Sequence, residues 1–395
     1  MAILLSVPAS AILLALAIAV LLLSGLPLQW PRIAIPLGAF LIWTLLSLAF
    51  SPDPAAGRPQ VNKIFVFVTM LTVFSSVRSI REAWPLMLAW IGVGTMSAAV
   101  GFLQFAKKWN EAHRLHRDFY HFYLDSRATG FQSHWMTFSG QLLYVLLLLV
   151  AFGLFGSSAR KTVWIWLPCI LAIGAAIALS FTRGVWIAAI LACSFLIWGW
   201  NRRAVWAVPI LLIVTFVAGP ASLRERVYSL VHPEEKTDSN KHRWIVWQTG
   251  WEMVKAHPIF GVGPEEIAKD EVFLAYLPKD IPQPLPPGDY KHLHSIYVHY
   301  AAERGIPAAL LLTGALLMAF LDFRRALKSL PPGRSDRRFV LQWAGAAVIG
   351  TMIVGVSDLN LGLTPELTMF LVIVSLGYRA AITPEEPVPV IVTPA

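Results

Sequence analysis

Charge is scarce in this sequence. Of its 395 residues only 14% are Asp, Glu, Lys or Arg, while 56% are hydrophobic. Soluble domains carry about a quarter charged residues, and a soluble fold of this length would leave much of that apolar side chain on its surface. Cysteine is nearly absent. Cys169 and Cys193 both lie in apolar runs and read as reduced packing residues, with no disulfide framework or metal site to be built from them. There is no Walker A loop, no dinucleotide-binding glycine fingerprint and no cluster at metal-ligand spacing. No Asp-x-Asp pattern occurs either, so a divalent metal gripping a diphosphate is not signalled, and neither metal nor cofactor is expected. The apolar start, residues 1–24, has no basic n-region and reads as a membrane helix that stays, not as a cleaved signal peptide.

What is abundant is long apolar sequence. Segments run at about 3–24, 33–50, 61–77, 84–106, 135–156, 162–180, 185–200, 204–219, 306–323, 339–357 and 365–380. Many approach the roughly 20 residues that cross about 30 Å of hydrocarbon as helix. The fold class is therefore an all-α, polytopic transmembrane bundle. Sixteen Trp fit, since indoles favour the headgroup level.

The net charge of +9 reads as topology and membrane lipid contact, and nucleic acid is not an expected partner. Residues 324–338 (RRALKSLPPGRSDRR), 157–161 (SSARK), 201–203 (NRR) and the pair Arg78 and Arg81 are basic, and the positive-inside rule puts them in the cytoplasm. The C-terminus is then cytoplasmic, and eleven spans put Met1 outside. Three places face outward: the loop near 107–134, the turn at 180–185 and the long segment 220–305. The expected division is 1–219 for N-terminal membrane helices and 220–305 for an outer loop domain, then 306–380 for C-terminal membrane helices and 381–395 for a tail. The loop domain contains the proline-rich 278–287 and periodic stretches such as 243–256, which suit short amphipathic helices.

Polar residues concentrate at these outward boundaries. The stretch 291–309 (KHLHSIYVHYAAERGIPAA) reads as a helix on which His294, Val298 and Ala301 share a face and His299 lies roughly 140° away. Glu303, four residues after His299, is placed to pair with it. An interfacial helix whose histidines simply hydrogen-bond among headgroups fits equally. In 180–186 (SFTRGVW) Arg183 stands between two apolar runs, where it either serves a site or snorkels to the headgroups. In 126–141 (SRATGFQSHWMTFSGQ) Arg127, Gly130, His134 and Gly140 precede or open a span, which also suits a re-entrant turn. In 243–263 (RWIVWQTGWEMVKAHPIFGVG) Trp244, Trp247 and Trp251 have helical spacing, for packing or for stacking on sugar. Asp358 closes a span in VGVSD. Three arginines at outward-facing boundaries suit phosphate, because guanidinium binds its oxygens in a bidentate fork.

Together these strings resemble the O-antigen ligases of lipopolysaccharide assembly, within the wider group of O-antigen ligases and polymerases. The strongest match is HLHSIYVHYAAERG at 292–305: it is similar to the family's His followed by Asn or Ser with Gly ten positions on, here His294, Ser295 and Gly305. SFTRG resembles the family's Ser/Thr-x-x-Arg turn, with Arg183 as its arginine. Arg127 before Gly130, Arg243 with Trp247 and HPIFGVG, and VGVSD are similar to further motifs. Ala308 departs from the Gly, Thr or Tyr of many members, and the helix count is one short of a dozen.

The resemblance implies a GT-C-like bundle of about 11–12 helices with a large periplasmic loop domain, in the bacterial inner membrane. It implies a glycosyltransferase that moves O-antigen from undecaprenyl diphosphate onto lipid A–core oligosaccharide at the periplasmic face. Arg183, Arg243 and Arg127 would hold the diphosphate and stabilise the charge of the leaving group. His294, near an ordinary pKa of about 6.5, would take the acceptor proton or position the diphosphate, with Ser295, His292 and Asp358 in support. Direct attack would invert the anomeric centre. Two other functions remain open: an O-antigen polymerase using the same site, and a transporter of lipid-linked or anionic solutes with the arginines lining its path.

Overall fold

A computed structural model describes residues 2–229, 239–286 and 288–382. All regular elements among them are helical. In chain order they are α1 (Val7–Leu23), α2 (Ala34–Ala49), α3 (Arg58–Ser76), α4 (Ile80–Arg114), α5 (Phe119–Asp125), α6 (Trp135–Phe155), α7 (Val163–Leu179) and α8 (Arg183–Trp200). They continue with α9 (Ala207–Ala218), α10 (Ala221–Tyr228), α11 (Ser239–Ala256), α12 (Asp270–Ala275), α13 (Ile296–Arg304), α14 (Ile306–Lys328), α15 (Asp336–Ser357) and α16 (Thr364–Ile382).

Each of the eleven apolar segments becomes a helix, yet they are not equal. Six (α4, α6, α8, α14, α15 and α16) have both the length and the apolarity of a full span. A seventh arises if residues 202–218 and α10, bent by 118°, count as one. Helices α1, α2 and α7 are apolar but have only 16 or 17 residues, about 25 Å at 1.5 Å per residue. Among the described residues these full-length helices, with the shorter apolar ones beside them, make up the polytopic helical bundle expected. Hydropathy also misplaces the ends of α4, which runs from Ile80 to Arg114, well past its apolar run. Capping explains its start: Ser79 Oγ accepts from the Glu82 amide at 3.4 Å, and the Glu82 carboxylate accepts the Arg78 amide at 2.8 Å.

Helices α6, α15 and α16 form the centre and are buried on nearly all sides. Where lipid replaces water, helices associate through close packing of small residues. Gly377 accordingly faces Ala344 and the Phe323 ring, and Gly350 faces Leu143 and Leu147. At the periphery α9 buries no residue and α1 only Leu21, so their apolar faces suit hydrocarbon. Cys169 and Cys193 are free thiols.

The bundle has two distinct ends. At one, the basic stretch 324–338 meets the α6–α7 loop: Ser157 Oγ donates to Asp336 at 2.7 Å, Arg334 donates to the Gly153 carbonyl at 3.2 Å, and the Ser335 amide donates to the Phe155 carbonyl at 3.0 Å. The other end carries the start of α8, the end of α15 and helices α11 to α13. There α11, α12 and α13 share a core of their own, with Val246, Met253, Ile267, Phe273 and Leu293. Helix α10 belongs elsewhere. Its Leu223 packs with Tyr123 and Phe181, and Ser229 Oγ accepts from Tyr120 OH at 3.1 Å. Pro287 and all of the tail 381–395 beyond Ile382 lie outside the described residues.

Candidate active site

A cavity of about 1180 Å³ opens at the end away from the basic loops. Its wall includes Arg127, Arg183, Arg226, Arg243, His294 and Asp358. His134, Lys241, His242, Asp289 and His292 also reach it. The three arginines expected from sequence thus converge from separate segments. Among the described residues, Arg226 and Lys241 bring the permanent cations on this wall to five, with Asp125, Asp289 and Asp358 as its carboxylates.

A single backbone carbonyl holds two of the arginines. Phe181 has φ of 53°, a left-handed conformation uncommon outside glycine, and its ring is fully buried. Its carbonyl oxygen accepts from both Arg127 Nη1 at 3.3 Å and Arg226 Nε at 3.2 Å. Arg183 opens α8, where the helix terminus itself favours anions, and donates to Ser229 Oγ at 2.5 Å and Asn240 Oδ1 at 3.4 Å. Arg127 lies over the Trp135 ring, 4.8 Å from its centroid. Burial, with Arg226 beside it, lowers the Arg127 pKa to about 9. Cations gathered on one cavity wall suit an anion.

His294 does not lie on a helix. Helix α13 begins at Ile296 and is capped by Ser295, whose buried hydroxyl accepts from the Val298 amide at 3.5 Å. The face shared by His294, Val298 and Ala301 therefore does not exist. Ser295 does not line the cavity; what its hydroxyl does is end the loop and start the helix. His294 itself has φ of 46°. Its ring meets His292 at 4.0 Å and His242 at 5.3 Å between centroids, both edge-on. Burial, with His292 and Arg243 beside it, lowers its pKa to about 2, and burial lowers His292 to about 4. The imidazoles are neutral, with lone pairs available, but His294 is far from the ordinary value expected of it. Asp358 is pushed the other way, to about 6, by burial.

The remaining motif residues brace this loop. Trp247 donates its indole N–H to the Leu293 carbonyl at 3.0 Å, while Trp244 and Trp251 are exposed. His299 pairs with Glu303 at 3.5 Å, and Arg304 binds the same carboxylate at 2.9 Å; all three side chains are buried. HPIFGVG lies against the end of α13: the Val262 amide donates to the Ala302 carbonyl and the Ile306 amide to the Pro258 carbonyl, each at 2.9 Å. Gly305 has φ of 86°, and a Cβ there would collide with the Ile259 carbonyl. That close approach is why glycine stands ten positions after Ser295. No group of three or more His, Cys, Asp or Glu among the described residues is placed to hold a metal ion.

Arg226, Lys241, His242 and Asp289 went unread in the sequence, because nothing local sets them apart from a solvated loop. For Arg226 and Lys241 the one signal was basic charge in a segment expected to face outward.

Residues 167–313, from α7 into α14, match the family model described as O-antigen ligase. The chain carries an O-antigen ligase family domain. This domain contains Arg183, Arg226, Arg243, His292 and His294, and the cavity it forms is completed by Arg127 and Asp358 from outside it. The O-antigen ligase family covers both ligases and polymerases, a membrane glycosyltransferase-like group acting on lipid-linked polysaccharide. No curated protein matches the chain.

Proposed function

We propose that this protein ligates O-antigen polysaccharide from undecaprenyl diphosphate onto the lipid A–core oligosaccharide, at the periplasmic face of the inner membrane. The observation that carries this reading is the cavity in which Arg127, Arg183, Arg226 and Arg243 surround His294 and Asp358. Its place at the end away from the basic loops supports the orientation.

An acceptor hydroxyl attacks the anomeric carbon from the face opposite the diphosphate. The new C–O bond forms as the old one breaks, and the electron pair leaves with the polyprenyl diphosphate. Negative charge grows on that leaving group, where guanidinium groups near the hydrocarbon boundary stabilise it strongly. The hydroxyl proton passes to a neutral imidazole nitrogen of His294. Burial, with His292 and Arg243 beside it, keeps that histidine neutral before substrate binds, and a diphosphate in the same cavity offsets the cationic part of that effect, raising its basicity when a base is needed. A direct displacement inverts the anomeric centre.

The test is transfer by the purified protein in nanodiscs, with defined undecaprenyl diphosphate oligosaccharide, in EDTA, and with two acceptors offered together. Ligation gives product on the lipid A–core. Product only on a second lipid-linked chain would make the protein a polymerase. Solute movement without either product would make it a transporter.

A further inference from the structure

A second basic groove adjoins the cavity, and apart from Arg127, which it shares, its residues have no part in the chemistry above. It has a volume of about 950 Å³ and lies between the last turns of α4 and residues 126–129. Lys107, Lys108, Arg114 and Arg127 line it, against one carboxylate, Glu111. That carboxylate is already paired with Lys108 at 3.3 Å, so the exposed Lys107 and Arg114 give the groove its surplus charge.

Two features argue that this charge has a purpose. Helix α4 has 35 residues, about 52 Å at 1.5 Å each, against about 30 Å of hydrocarbon. Its apolar run ends near Ala106, and the basic turns continue for another eight residues. They lie at the end where the positive-inside rule depletes Lys and Arg, so topology does not account for them. The wall toward the cavity is also fixed. Gln104 Oε1 accepts from the Thr129 and Gly130 amides at 2.8 and 2.9 Å, while its Nε2 donates to the Gly130 carbonyl at 3.0 Å. Tyr123 OH accepts the Ala128 amide at 3.0 Å. Arg127, held on this braced loop, faces both spaces.

We infer that the groove binds the phosphorylated headgroup of the acceptor glycolipid and so delivers its hydroxyl to the cavity past Arg127. This rests on the transfer reaction proposed above. With the main cavity's cations occupied by the donor diphosphate, a second anionic substrate needs a second set, reached from the same leaflet and touching the first at one point. Lys107, Arg114 and the braced loop supply it.

The experiment uses the full chain in nanodiscs, as wild type and as Lys107→Glu/Arg114→Glu. The acceptor is lipid A–core, intact or phosphatase-treated. In the variant the acceptor KM should rise at least about tenfold, with donor KM and kcat within about twofold, the pattern of lost ground-state binding. Phosphatase treatment should cause a similar rise in wild type and little further change in the variant. An unchanged acceptor KM, or a parallel rise for the donor, would overturn the inference. So would a defect that follows the anionic phospholipid content of the disc in place of the acceptor's phosphates, which would make the groove a contact for bulk lipid. If wild type transfers nothing, direct binding of the two acceptor forms decides separately. Phosphate-dependent binding lost in the variant supports the groove while the reaction fails, and equal binding by both proteins removes it.

Discussion

Arg243 donates from Nε to the carbonyl oxygen of Ser357 at 3.2 Å, across 114 residues of sequence. This bond ties α11 to the end of α15, beside Asp358. The cavity is thus walled by both the membrane bundle and the segment that carries α11 and the His294 loop.

The orientation is tested first. Lys255 is exposed on α11, and Ser329 is exposed between α14 and α15 at the basic end. In intact cells an impermeant thiol reagent should label Lys255→Cys and spare Ser329→Cys until the membrane is opened. The reverse pattern would place the cavity in the cytoplasm and end the periplasmic account.

Arg183 separates phosphate binding from snorkelling. Lysine keeps the charge but loses the bidentate fork, and here it also loses the bonds to Ser229 and Asn240. Arg183→Lys should transfer at least about tenfold more slowly at normal expression. Initial rates in membranes check this, and a rate near wild type would favour a snorkelling role.

His299 is a structural partner. Its pairing with buried Glu303 means that His299→Ala should lower stability by about 1–3 kcal/mol. The transfer rate per folded molecule should hold. Unfolding temperature and specific activity of the purified variant decide, and lost activity at wild-type stability would give His299 a catalytic part.

The histidine cluster should make the protein sensitive to acid. An unfolded His292 takes up a proton near pH 6.5, whereas the folded one resists until about pH 4. Its contribution to stability is therefore present above pH 6.5 and lost as pH falls toward 4. Unfolding temperatures followed from pH 7.5 to 4 should drop less for His292→Gln than for wild type. Parallel curves would mean that His292 titrates normally.

How much of this was legible in sequence depended on whether a signal was local. The Arg183 turn, the His294 loop and the Arg243 helix are contiguous strings, and basic loops elsewhere set the expectation that they face outward. The start of α13 was not legible, because Ser295 as a cap competes with a helical pattern that continues smoothly through 291–309. Arg226 had only the weak signal of basic charge in an expected outer segment. Its role comes from Phe181, 45 residues away, whose strained backbone aims one carbonyl at two arginines. The low pKa of His294 was equally hidden, since burial and neighbouring cations exist only after folding.

The central claim is that His294 takes the acceptor proton in a transfer from a lipid diphosphate. The most direct measurement is the initial transfer rate of purified His294→Ala against wild type, with unfolding temperatures matched. Loss of a general base costs about 10²–10⁴-fold, and a fall of that size in kcat, with donor binding retained, is the predicted result. Wild-type transfer by folded His294→Ala would contradict the account.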